Sequence, residues 1–93
     1  MVRGDSMRPT LMPGDHILVN PAAYSRAQPS VGDVVVARHP FERDRLIVKR
    51  ISDVGPEGRC FLSGDNPDES TDSHSFAAIA PHLILGRVTR QLP

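Results

Sequence analysis

The sequence predicts an all-β fold, a small curled sheet or partly open barrel with at most one or two short helical turns. Three observations carry this. Nine prolines are scattered through 93 residues, and a proline inside a helix costs about 3 kcal/mol. Short β-branched runs recur, each bounded by Gly, Pro, Asn or Asp. Four of the seven glycines, Gly4, Gly14, Gly32 and Gly64, are followed by aspartate. Glycine tolerates positive φ and aspartate bonds nearby N–H groups, so the pair makes a turn at a strand end.

Taken in order, "HILVN" (His16–Asn20) is the first predicted strand. "PAAYSRA" (Pro21–Ala27) is a candidate helical turn. "DVVVAR" (Asp33–Arg38) and "RLIVKRI" (Arg45–Ile51) are strands joined by "HPFERDR" (His39–Arg45), a hairpin loop of interleaved charges. "RCFLS" (Arg59–Ser63) and "LILGRVTR" (Leu83–Arg90) complete the strands, with "FAAIAPH" (Phe76–His82) between them as a second helical turn. A period of two in "RLIVKRI" puts Leu46, Val48 and Arg50 on one face. Ile47, Lys49 and Ile51 fall on the other, so Lys49 shares a face with two isoleucines.

The length fits one small domain spanning residues 1–93. Eleven basic and eleven acidic side chains give a formal charge of zero, and aromatics make up 4%. Both argue against a nucleic-acid binder, which carries a basic excess and often stacking platforms. Cys60 is the one cysteine; it forms no intrachain disulfide and reads as a small buried strand residue. The longest apolar run, Phe76–Ala80, falls far short of the roughly 20 residues a membrane helix needs. No membrane span is expected in the chain, and a cytoplasmic location is the expectation.

"GDSMRPTLMPGD" (Gly4–Asp15) holds Ser6, a candidate nucleophile. A serine hydroxyl needs a base to remove its proton. His16, His39, His74 and His82 are available, but the G-x-S-x-G elbow is absent and a Ser-His-Asp triad has no specific support. Lysine is a base when apolar surroundings keep it neutral. Lys49 is the only lysine, and the other ten basic residues are arginine, which does not deprotonate in proteins. A Ser6–Lys49 dyad therefore stands beside the plainer reading, a lysine that snorkels its amine to the surface.

Several motifs in order then carry a resemblance. "SMRPTLMPGD" (Ser6–Asp15), "VGDVVVA" (Val31–Ala37), "IVKRI" (Ile47–Ile51), "GDNPDESTDSHSF" (Gly64–Phe76) and "ILGRV" (Ile84–Val88) resemble successive boxes of the signal peptidase I family. The resemblance implies that family's catalytic-core fold and a serine endopeptidase with no cofactor. It maps Ser6 to the nucleophile, whose backbone N–H would help hold the oxyanion, and Lys49 to the general base. Ser70 maps to the serine that orients the lysine amine, and Asp72 to the acid that braces the last box. Met7, Pro9, Gly64, Asp65 and Asn66 are supporting motif residues, the last three shaping the turn that carries that box. Pro9 and Pro13 are expected to hold the segment extended as it leaves Ser6.

Several features of this sequence stand out against the family pattern. His74 stands where the family has arginine, and Ala77 where it often has glycine. Gly4 supplies no side-chain oxyanion donor. Only five residues precede Ser6, where a secretory enzyme has its membrane anchor. By its compact length, its start close to Ser6 and His74 in place of arginine, the chain is most similar to the small anchorless members that mature nickel-type superoxide dismutase. That implies a precursor's N-terminal propeptide as the peptide substrate, with the nickel belonging to the substrate. Three alternatives stand beside it: the core of a membrane-anchored type I signal peptidase, a self-cleaving relative of the SOS-repressor type, or a non-catalytic peptide-binding module. The acidic run offers no calcium loop: counted from Asp65, its sixth residue is Ser70 and its twelfth Phe76, where an EF-hand needs Gly and Glu. The histidines show no zinc-ligand spacing, and no metal is expected.

Overall fold

The structure is a computed structural model that describes residues 1–42, 44–66 and 75–92, with Ser75 described by its backbone. Among these residues six strands form one antiparallel sheet: β1 (His16–Asn20), β2 (Val34–Arg38), β3 (Leu46–Val54), β4 (Cys60–Ser63), β5 (Ser75–Ile79) and β6 (Ile84–Leu92). Their order is β1-β6-β2-β3-β4-β5, so the sheet is open, with β1 and β5 at its edges. Register irregularities interrupt four of the five ladders, the β2–β3 pair excepted. Such bulges bend and twist a strand, which is how so small a sheet curls.

The β2–β3 hairpin follows the predicted turn chemistry. His39 N–H donates to the Arg45 carbonyl at 2.8 Å, and Arg45 N–H to the Glu42 carbonyl at 2.9 Å. The buried His39 ring holds the loop, its Nδ1 accepting from the Phe41 and Glu42 amides at 3.0 and 3.1 Å. Gly86 in β6 marks the tightest backbone approach: a Cβ there would stand 2.6 Å from the Asn20 carbonyl oxygen. Three of the four glycines in the Gly-Asp pairs, at positions 4, 14 and 32, adopt positive φ.

The expected helical turns fare differently. Pro21–Ala27 is turn and bend, with Ser25 N–H donating to the Ala22 carbonyl, and no helix forms. In the second segment the helical expectation is wrong over Phe76–Ile79, which lies in β5, opposite Leu62 and Cys60 of β4. Only its end is helical, as a 3-10 turn at Pro81–Leu83. Alanine's helix preference amounts to a few tenths of a kcal/mol per residue, whereas pairing with β4 buries Ile79 and satisfies the backbone. The unusual backbone lies one residue past the Gly-to-Ala departure: Ala78, not Ala77, has a positive φ of 54°.

Two apolar clusters hold the sheet. Val35, Ala37, Ile47, Ile51, Cys60, Leu62 and Ile79 form the larger. Val2, Met7 and Leu11 form the smaller, packed against Ile17, Val34 and Val48. Strand alternation explains the division, since Val34 and Val48 face away from Val35 and Ile47. The second cluster is what seats the N-terminal segment on the sheet.

Candidate active site

Ser6 stands in a run of turns anchored by its neighbour. Met7 is 2% exposed in the smaller cluster, and Leu11 N–H donates to the Met7 carbonyl at 2.9 Å. The segment leaving Ser6 is therefore a turn rather than the expected extended chain. Arg8 N–H donates to the Asp5 carbonyl, the Arg8–Pro9 peptide is cis, and Asp15 N–H closes a second turn onto Met12. Burying both Met7 and Leu11 on one side requires the chain to coil between them.

Lys49 is placed by β3 as the periodicity predicts. It lies between Ile47 and Ile51, opposite Val35, and is 5% exposed. With His39 it is one of two buried polar or charged residues among those described. A cavity of about 850 Å³ has both Ser6 and Lys49 in its wall. Val2, Gly4, Met7, Leu46, Val48 and Phe76 also line it. Consecutive strand residues face opposite ways, so the wall from Leu46 to Lys49 wraps around the strand.

Asp65 joins the segments around these two residues. Its carboxylate accepts from Arg50 Nε and Nη2 at 2.8 and 2.7 Å, and from Thr10 Oγ1 at 2.6 Å. Arg50 Nη1 also donates to the Gly32 carbonyl at 2.6 Å. Arg50 follows Lys49 directly, and Thr10 lies four residues past Ser6. The Arg50 hydrogen bonds hold the Asp65 carboxyl below its ordinary range, with burial opposing and Thr10 assisting. Reciprocally, the Asp65 hydrogen bond raises the Arg50 guanidinium further.

Asn66 completes the connection. Its backbone N–H donates to the Ser6 carbonyl and its side-chain Nδ2 to the Asp5 carbonyl, both at 2.9 Å. Gly64, Asp65 and Asn66 follow β4 and are partly buried. The turn thus does more than shape the last box: it grips the Ser6 loop and, through Arg50, the lysine strand. Ser70, Asp72 and His74 lie outside the described residues. Arg50 and Thr10 lie within the motifs IVKRI and SMRPTLMPGD, but no role falls to either from the sequence. Arg50's place on the face opposite Lys49, two residues from Val48, was the available hint.

The fold and the placement of these motifs define an all-β domain with a serine and a buried lysine on one cavity. A family model described as signal peptidase, peptidase S26, matches residues 1–56, more than half of the chain. The chain belongs to the signal peptidase family. It is 32% identical to a mitochondrial ATP-independent inner membrane protease subunit 1a of Arabidopsis thaliana, over 92% of this chain and 64% of that protein. It is 37% identical to mitochondrial inner membrane protease subunit 1 of Saccharomyces cerevisiae, over 87% of this chain and 37% of that protein. Over half of this chain it is 48% identical to signal peptidase I of Aquifex aeolicus, covering 18% of that protein. The chain thus spans less than two thirds of the length of these relatives. No solved structure matches it. Among the described residues no helix is long and apolar enough to cross a membrane.

Proposed function

We propose that this chain is the catalytic unit of a serine endopeptidase with a Ser6–Lys49 dyad. The observation that carries the reading is the cavity shared by Ser6 and a lysine that is 5% exposed. Apolar burial is the general means of making a lysine available as a base. Membership of the peptidase S26 family supports the same chemistry.

In the proposed reaction Ser6 Oγ attacks the scissile carbonyl carbon and its proton passes to neutral Lys49 Nζ. The Ser6 N–H steadies the oxyanion. Collapse breaks the peptide C–N bond, and the lysine proton goes to the leaving amine. A water then attacks the acyl-enzyme, giving its proton to Lys49, and the ester bond to Ser6 breaks with return of a proton to Oγ. By resemblance Ser70 orients the lysine amine and Asp72 braces the adjoining segment.

The substrate is a precursor's N-terminal segment, bound as an added strand. Resemblance to the members that mature nickel-type superoxide dismutase favours that enzyme's propeptide. The similarity to mitochondrial inner membrane proteases and signal peptidase I favours a second reading, the core of a membrane-anchored peptidase. Incubation of the chain with each precursor class, followed by N-terminal sequencing of the products, separates the two. Ser6→Ala and Lys49→Ala each abolish cleavage while leaving the sheet intact. Turnover by either variant near that of the parent chain refutes the dyad.

A further inference from the structure

The proposed reaction asks two things of Ser6: a hydroxyl aimed at the carbonyl carbon and an amide aimed at its oxygen. Both directions depend on the two peptide planes that flank the Ser6 Cα. The first plane contains the Asp5 carbonyl and the Ser6 N–H, fixed opposite one another because the peptide is planar and trans. The second contains the Ser6 carbonyl. Asn66 holds both planes, through Nδ2 on the Asp5 oxygen and through its own N–H on the Ser6 oxygen, each at 2.9 Å.

We infer that Asn66 is a positioning residue that sets the direction of the Ser6 amide, and so of the oxyanion donor. Gripping the Asp5 oxygen from one side points the Ser6 N–H to the other. Gripping the Ser6 oxygen fixes the remaining torsion about the Ser6 Cα and, with it, where Oγ starts. A carbonyl that accepts a hydrogen bond also polarises its peptide, which strengthens the N–H at the other end. Gly4 contributes no hydroxyl to the oxyanion, which places more weight on this amide. Asp65, immobilised by Arg50 and Thr10, keeps Asn66 in place from the preceding position.

This inference rests on the proposed role of Ser6, and its test has two arms. Asn66→Ala removes the Nδ2 donor and keeps the backbone donor. Asn66→Asp is nearly isosteric and sets a carboxylate oxygen against the Asp5 carbonyl. In the first arm, kcat on a cleaved precursor peptide falls about tenfold to a hundredfold in both variants, the loss that misplacement by about an ångström brings. KM stays within about threefold, since Asn66 does not line the cavity that Ser6 shares with Lys49. A loss confined to KM, or parent-level kcat in both folded variants, overturns the inference. In the second arm, the Ser6 amide resonance of the 15N-labelled chain shifts and its hydrogen exchange quickens in both variants. An unmoved Ser6 amide overturns the inference whatever the activity. A parent chain that cleaves nothing, but whose Ser6 amide responds to Asn66, keeps the clamp and removes the peptidase reading.

Discussion

Replacing Asp65 by asparagine cuts the joint between the lysine strand and the serine loop. The carboxylate accepts two hydrogen bonds from Arg50 and one from Thr10. Hydrogen bonds to charged groups contribute about 1.5–3 kcal/mol each, and exposed ion pairs about 0–1 kcal/mol. The Asp65 side chain is 16% exposed and that of Arg50 35%, so solvent screening discounts the guanidinium's share. Asparagine keeps one acceptor oxygen and turns an N–H₂ toward groups that are themselves donors. The expected loss is about 2 kcal/mol. For a domain of this size that lowers Tm by about 8–16 °C. The sign with pH follows from the direction of the shift. The folded carboxyl titrates below its ordinary value of 3.8, so its contribution is fully present above that pH. It is lost as the pH falls further, through the folded pKa. Thermal melts followed by circular dichroism therefore show a gap between parent and D65N that is constant from neutral pH to about pH 5 and narrows below about pH 4. A gap under about 1 °C at neutral pH, or one that stays constant into acid, refutes the reasoning.

Three further outcomes are expected. Gly86→Ala forces a methyl within 2.6 Å of the Asn20 carbonyl oxygen and 2.7 Å of Val19 Cγ1, so it lowers stability by about 1–3 kcal/mol; a Tm equal to the parent's shows that β1 and β6 pass less closely. Tyr24 donates to Asp33 Oδ2 at 2.7 Å, and burial first, then Asp33, pushes its phenol far above 10. The folded state therefore favours neutral Tyr24, and stability declines as pH rises above 10. Phenolate absorbance from this single tyrosine appears only with alkaline unfolding, and its appearance near pH 10 in a folded chain contradicts that. Burial raises the Cys60 thiol and leaves it fully enclosed, so a thiol reagent reacts with it at the rate of unfolding, whereas immediate reaction disproves the packing.

Where the period of two is long enough to set a face, the sequence was readable. "RLIVKRI" put Lys49 between two isoleucines, and all three are buried. Five strands were legible from β-branched runs between turn residues, with ends within a few residues of those observed. β5 was not, because Ala77 and Ala78 interrupt its β-favouring Phe76 and Ile79, and the segment becomes a strand by pairing with β4. The bend after Ser6 was misjudged for a related reason: proline suggests extension locally, but burying Met7 and Leu11 together demands a turn.

The sequence by itself determined five of the six strands among the described residues and the face on which Lys49 lies, and it offered the serine and the lysine as candidate nucleophile and base. These follow from local quantities: propensity, alternation, and the scarcity of any other neutralisable amine. Tertiary structure decided which distant segments meet. Arg50 reaches Asp65 across 15 residues, and Asn66 reaches Asp5 across 61. Such pairings depend on how the sheet curls and where the N-terminal segment docks, which no local pattern encodes. The sequence could place the lysine and name Asn66 as a motif residue; that Asn66 holds the Asp5 and Ser6 carbonyls showed only once the chain had folded back on itself.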